Sequence, residues 1–374
     1  MAIIISKKKL ISIFGLLFFS INAICASVNQ LPPDLIIKGW LKSPFIVKEI
    51  NRGDTSVREL LISSNESAEK FSYVVSEAKR IADTEAVIGL LLLDKDGTIV
   101  FESYKQGATQ DSLLIGYSMS KSATSVAVGQ ALCDGYFKSL DDAAEKYAED
   151  LKGTAYGQAS LRELLMMSSG GKRPDFNGQA VANLTSDLLR HQTKSIRQGF
   201  TDYGVINSPS AADRGTFIYK GYDTYALGIA IASATKMQFE DYFSKAVWNR
   251  VGAQSNARWL VDRNGDAATA EGFGATLRDW SRLAIYIRDQ AANQSSCLGK
   301  YLRDATTKQI ANSSSLGANT SGYGYQFWTN DSYVRGNSTF EMHGYSGQRV
   351  FIDSDSGRVL VLGKLCITPR KLCS

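Results

Sequence analysis

The chain has 374 residues, 44% of them hydrophobic, with a formal net charge of +5, five cysteines and two histidines. That length can bury a large core, as two domains or one two-lobed unit. A small net charge without any basic run gives no footing for nucleic-acid binding, and two histidines cannot supply a multi-histidine metal centre.

The first 26 residues read as a targeting segment. Lys7, Lys8 and Lys9 precede an almost uncharged apolar run from Leu10 to Ala26, and Ala26-Ser27 is the expected cleavage point, although Ile24 is a poor fit at minus three. The run is shorter than the roughly 20 residues a bilayer span needs. The expectation is therefore a cleaved signal and an exported chain, periplasmic or secreted, of charge about +2 because three lysines leave with the signal. A retained anchor is the alternative. Asn22-Ala23-Ile24 before Cys25 makes a poor lipobox. Of the other cysteines, Cys366 and Cys373 are spaced to close a small loop in an oxidising compartment, and Cys133 and Cys297 read equally well as buried thiols, so the pairing stays open.

Residues 27 to 65 form an irregular lead segment, with Leu31-Pro32-Pro33 and an Asn51-Arg52-Gly53-Asp54 turn. Glu66 to Ala82 has apolar residues at helical spacing. Ala86 to Leu93 and Thr98 to Tyr104 then form a hairpin about Asp94-Lys95-Asp96-Gly97. A helix opened by Ser118 runs to Gly135. Further helical stretches are expected from Ser139 and over Leu161–Met167, Tyr225–Ala234, Phe239–Val251 and Ala275–Gln290, with a brief extended piece at Phe217-Ile218-Tyr219. Strands return at Gly324–Trp328, Thr339–His343, Arg349–Ile352 and Val359–Leu365. Strands at both ends with helices between predict an α+β (α/β) architecture: an antiparallel sheet built from both chain ends, flanked by helices, beside a mainly helical lobe at about 136–255. The expected divisions are 1–26, 27–82 and 83–374.

For chemistry, no phosphate-binding loop or His-Glu-x-x-His zinc motif is present, and Gly116-Tyr117-Ser118-Met119-Ser120 has Ser where a nucleophile elbow ends in Gly. Ser118 and Lys121, three apart at a helix start, face one way, about 5–6 Å between Cβ atoms. A hydroxyl and an amine so placed are the parts of a Ser-Lys nucleophile pair. A capping serine beside a solvated lysine is the plainer alternative.

Further segments extend the pattern. Ser118-Met119-Ser120-Lys121-Ser122, Ser139-Leu140-Asp141-Asp142, the stretch Leu161–Gly171, Gly215–Gly228, Ala275–Leu283 and Met342-His343-Gly344-Tyr345-Ser346-Gly347-Gln348 follow in order. Together, over roughly residues 85–365, they resemble the class C β-lactamase-related serine hydrolases, which include DD-peptidases, esterases and 6-aminohexanoate-dimer hydrolases. The resemblance implies a β-lactamase/transpeptidase-like fold and acyl transfer without metal or organic cofactor. Ser118 would be the nucleophile, Lys121 its base and Tyr219 a proton relay. The backbone N–H groups of Ser118 and Tyr345 would hold the oxyanion, with Gly344 allowing close approach and His343, Gly221 and Asp223 near the substrate. Two positions depart from the pattern. Gly221 stands where Asn is common, leaving Asp223 or Lys220 to supply polar contacts. Met342-His343-Gly344 replaces Lys-Thr-Gly or His-Thr-Gly, which weakens a β-lactam carboxylate site and favours the amidase and esterase branch. The expected partner is a small amide, ester or peptide-like substrate. A β-lactamase or DD-peptidase, and a penicillin-binding-like protein without turnover, are the alternatives.

Overall fold

The computed structural model describes residues 45–63, 71–84, 86–171, 175–176, 179–180, 195–202, 213–314, 317–332 and 337–364. The proposed signal, the start of the Glu66 helix, Cys366 and Cys373 lie outside these residues. Among the described residues no helix is long and apolar enough to cross a membrane.

The chain begins with β1 (Val47–Ile50), α1 (Ser72–Ala82), β2 (Val87–Leu93), β3 (Ile99–Tyr104) and β4 (Leu113–Ile115). A 3-10 turn at Tyr117–Met119 leads into α2 (Ser120–Cys133). After short turns and a helix at Leu161–Leu165 come the ribbon β5 (Asp175–Phe176) and β6 (Gln179–Ala180), then α3 (Gly221–Thr235). A continuous helical run over Phe239–Phe243, Ser244–Trp248 and Asn249–Val251 follows, and then come β7 (Ala257–Leu260), β8 (Phe273–Thr276), α4 (Leu277–Ala292), α5 (Cys297–Ala305), β9 (Ile310–Ala311), β10 (Thr320–Tyr323), β11 (Trp328–Asp331), β12 (Thr339–His343), β13 (Arg349–Asp353) and β14 (Arg358–Lys364).

The main sheet is antiparallel in the order β3-β2-β14-β13-β12-β11-β10-β9. Strand β2 reads Val-Ile-Gly-Leu-Leu-Leu-Leu without alternation because both of its faces are covered. Leu90 and Leu92 meet Val74, Ala78 and Ile81 of α1, while Ile88, Leu91 and Leu93 join the main core, which also holds Leu277 and Leu283 of α4. Each such leucine contributes about 1.5–3 kcal/mol of hydrophobic burial. Helix α1 thus covers one face of the sheet.

Several expectations need correction. Gly324–Phe327 is a turn joining β10 to β11, not strand: the Gly324 N–H donates to the Phe327 carbonyl, and Gln326 has φ +67. The stretch after Ser139 forms only 3-10 turns as far as Leu151. A second sheet, β1-β7-β8-β4, was not legible, because its strands have only three or four residues. It matters for the site: β4 pairs with β8 from Leu113↔Thr276 to Ile115↔Gly274, and the Gly116 N–H donates to the Phe273 carbonyl, fixing the turn that carries Ser118.

Cys133 and Cys297 form a disulfide that ties the end of α2 to the start of α5, so neither is a free thiol. Closing a loop with a sequence separation of 164 residues constrains the unfolded chain. Replacing both cysteines by Ser is expected to lower stability by about 2–5 kcal/mol, read from the urea midpoint. Thiol labelling of both residues in the native, unreduced protein would show that the bond is absent.

Candidate active site

Helix α2 is enclosed on nearly all sides: every residue from Ser120 to Ala131 is buried. A helix so placed needs small side chains, and each buried hydroxyl needs a partner. Ser120 Oγ accepts from the Phe273 N–H at 2.9 Å, Ser122 Oγ donates to the Gln326 carbonyl at 2.6 Å, and Thr124 Oγ1 donates to the Thr269 carbonyl at 3.0 Å. Ser125 Oγ lies 2.9 Å from the Tyr301 hydroxyl. The Ser/Thr-rich run therefore fastens α2 to β8, to the β10–β11 turn, to the β7–β8 connection and to α5.

Ser118 sits one turn before Lys121, at the mouth of this helix. Tyr117 ahead of it is buried with φ +47, a conformation that costs a bulky residue on the order of 1–3 kcal/mol and that the surrounding packing must enforce. Lys121 Nζ lies 3.1 Å from Ser118 Oγ and donates to the Ala270 carbonyl at 2.7 Å. Its side chain is 4% exposed, and among the described residues no carboxylate lies within ion-pair distance of it. The Tyr219 ring completes the group, with Lys121 Nζ 5.2 Å from its centroid.

Tyr219 leaves an extended segment just before α3. That helix start is anchored by Gln326, whose amide accepts from Thr224 Oγ1 at 2.8 Å and donates to the Leu164 and Leu165 carbonyls at 3.0 and 3.1 Å. Gln326 thus joins α2, α3 and the Leu161–Leu165 helix, a role no motif announced.

Gly344 follows β12. A Cβ there would stand 2.2 Å from the Gly116 carbonyl, so its absence lets β12 meet the turn that carries Ser118. Tyr345 lies beside the same turn, its ring in edge contact with Tyr117 at 5.7 Å.

The remaining candidates lie otherwise. Gly221 is the first residue of α3, packed near Ala270. Asp223 and Lys220 do not face a cleft: they form an ion pair at 3.0 Å with side chains 0% and 1% exposed, and Ser169 Oγ donates to the Asp223 carboxylate. Burial pushes the Asp223 carboxyl above its usual range, against the opposing pull of Lys220. Each is the other's charge partner inside the fold. Met342 is 0% exposed in the main core, which leaves no cation at that strand position. His343, on the opposite strand face, turns its Nε2 to Glu341 Oε2 at 2.7 Å and stacks on Trp328. Burial holds the imidazole well below its ordinary value, and the Arg349 charge adds to this; burial raises the Glu341 carboxyl, which Arg349 at 3.7 Å opposes. Among the described residues no group of three or more His, Cys, Asp or Glu could hold a metal ion.

Gly344→Ala is expected to lower stability by about 1–3 kcal/mol, the usual range for overpacking, and to slow turnover through displacement of the Ser118 turn. Thermal melts and steady-state rates check both, and an unchanged protein would mean that the contact with Gly116 is dispensable.

The arrangement sets a serine hydroxyl beside a buried amine and a tyrosine ring, next to the end of β12. A family model described as Beta-lactamase matches residues 78–362. A 6-aminohexanoate-dimer hydrolase of Paenarthrobacter ureafaciens is 24% identical over 212 residues, 55% of this chain and 53% of the relative. The chain thus matches about half the length of that curated relative. Among solved structures, a Bacillus anthracis protein provisionally assigned as a 6-aminohexanoate-dimer hydrolase superposes with a TM-score of 0.68 at 19% identity, covering 90% of this chain and 92% of that one. A penicillin binding protein from Bacillus halodurans gives 0.60 at 14% identity, covering 79% and 94%. These similarities identify a β-lactamase/transpeptidase-type fold.

Proposed function

This chain belongs to the beta-lactamase family, and from that premise we propose that it is an exported serine hydrolase cleaving an amide or ester through an acyl-enzyme on Ser118. The observation that carries the proposal is the 3.1 Å approach of Lys121 Nζ to Ser118 Oγ, with Tyr219 against the same amine.

In this mechanism the neutral Lys121 amine accepts the hydroxyl proton as Ser118 Oγ attacks the substrate carbonyl carbon. A neutral lysine amine has two N–H donors and one lone pair, so it can donate to the Ala270 carbonyl while accepting from the serine. The tetrahedral oxyanion is held by the N–H groups of Ser118 and Tyr345, a donor in such a position being worth about 3 kcal/mol of barrier. Tyr219 passes the proton to the leaving amine or alcohol. Water then attacks the Ser118 ester, its proton returning by the same relay, and the acid product departs.

The substrate class follows from what the site lacks. With Met342 in the core, the strand offers no lysine at that position for a β-lactam carboxylate. An open-chain amide or ester is the better fit, and the 6-aminohexanoate-dimer hydrolase among the relatives favours the same branch. The second reading, a penicillin-binding-like protein that acylates without turnover, is favoured by the missing polar residue at Gly221.

Incubation with p-nitrophenyl esters, linear amides and β-lactams, followed by intact mass measurement, tests the proposal. Steady product release with an acyl adduct on Ser118 is expected, and a single stoichiometric burst would select the second reading. Ser118→Ala is expected to remove the adduct and several orders of magnitude of turnover, and Tyr219→Phe about 10²–10⁴-fold. A Ser118→Ala variant as fast as the parent rules out the nucleophile.

A further inference from the structure

The Tyr219 ring packs against other aromatic side chains. Its centroid lies 5.1 Å from that of Trp328 at an interplanar angle of 34°, and 6.2 Å from Tyr323 edge-on. Trp328 is 3% exposed and opens β11. Its indole also stacks on His343, with centroids 5.1 Å apart and planes only 17° from parallel. Tyr323 closes the edge of the indole at 5.0 Å. The backbone of Gly317, at φ +63, lies so close that a Cβ there would meet the indole at 2.5 Å.

The indole is therefore confined on several sides, and the confinement is built from the sheet. Trp328 pairs directly with Glu341 across β11 and β12, and His343 is two residues further along the same face of β12. The Glu341 contact with His343 Nε2 fixes the orientation of the imidazole beneath the indole. Arg349, the cross-strand partner of His343, brings a guanidinium to the same carboxylate. Apolar residues of similar volume would fill this space without burying a carboxylate and a guanidinium. The contacts run without a gap from Glu341 through His343 and Trp328 to Tyr219 and Lys121.

We propose that Trp328 is a positioning residue for Tyr219, held in place by His343 and Glu341, so that His343 acts through an indole rather than by touching substrate. This rests on Tyr219 as the proton relay of the reaction proposed above. A phenol displaced by about 1 Å from its proton partners loses on the order of 10²-fold in rate, so the indole face sets kcat while contributing little to substrate affinity.

The test is a double-mutant cycle on steady-state ester hydrolysis. Trp328→Leu is expected to lower kcat roughly 10- to 100-fold with KM changed less than about threefold, and Trp328→Phe, which keeps an aromatic face, to restore most of the loss. In a Tyr219→Phe background, Trp328→Leu is expected to cost almost nothing further, because the group it positions is gone. His343→Gln, which can still reach Glu341 but offers no ring to the indole, is expected to show the same dependence on Tyr219 with a smaller loss. It serves in place of Trp328→Leu if circular dichroism shows that variant to be unfolded. Equal losses in the parent and Tyr219→Phe backgrounds would overturn the positioning role while leaving Tyr219 as the relay. A Tyr219→Phe enzyme as fast as the parent would instead remove the relay, and the positioning role with it.

Discussion

Enclosure of α2 is the constraint from which the site follows. A helix buried on nearly all sides cannot carry large residues, and it cannot carry a polar group without a partner. Ser120, Ser122, Thr124 and Ser125 meet both demands, being small and each hydrogen-bonded to a different part of the fold. Such bonds are modest individually, at about 1 kcal/mol net, but leaving any one group unsatisfied costs more. Lys121 sits in the same enclosure, directed at Ser118 and Ala270 by a helix that has no freedom to rotate.

Precision at Tyr219 has a different source. It comes from α3, whose start is bound through Gln326 to the elements that hold α2, and from a cluster of aromatic rings on the main sheet. Helix contacts thus fix Ser118 and Lys121, and sheet contacts pack against Tyr219. The Cys133–Cys297 disulfide closes the far end of α2, so the helix is pinned at both termini. A preorganised site of this kind needs little rearrangement as charge develops on the substrate.

Sequence and structure agree where the signal is local or carried by order along the chain. The spacing of Ser118 and Lys121, the β2–β3 hairpin and the closing strands were legible because helical and strand periods are short-range properties. Tyr219 and Gly344 were legible only through the sequential order of several motifs. The Ala270 carbonyl could not be found, since any residue has one. Gln326 and Trp328 carry no local signature, and they act by reaching elements about 100 or 200 residues away. The small sheet was missed because strands of three or four residues are too short to show a period. Asp223 and Lys220 were named only because the resemblance leaves Gly221 without a polar side chain, and their burial as each other's charge partner is a tertiary contact that no motif announces.

The sheet that anchors the site draws its centre from opposite ends of the chain: Leu93 of β2 pairs with Val359 of β14. During synthesis at about 5–20 residues per second, β2 would wait roughly a quarter of a minute to a minute for its partner to emerge. Throughout that interval a strand of seven apolar residues has one edge and much of its surface uncovered. Closing the sheet therefore depends on long-range pairing, which slows folding. That delay makes β2, covered on both faces only in the finished fold, the segment most exposed to aggregation when the protein is made in quantity.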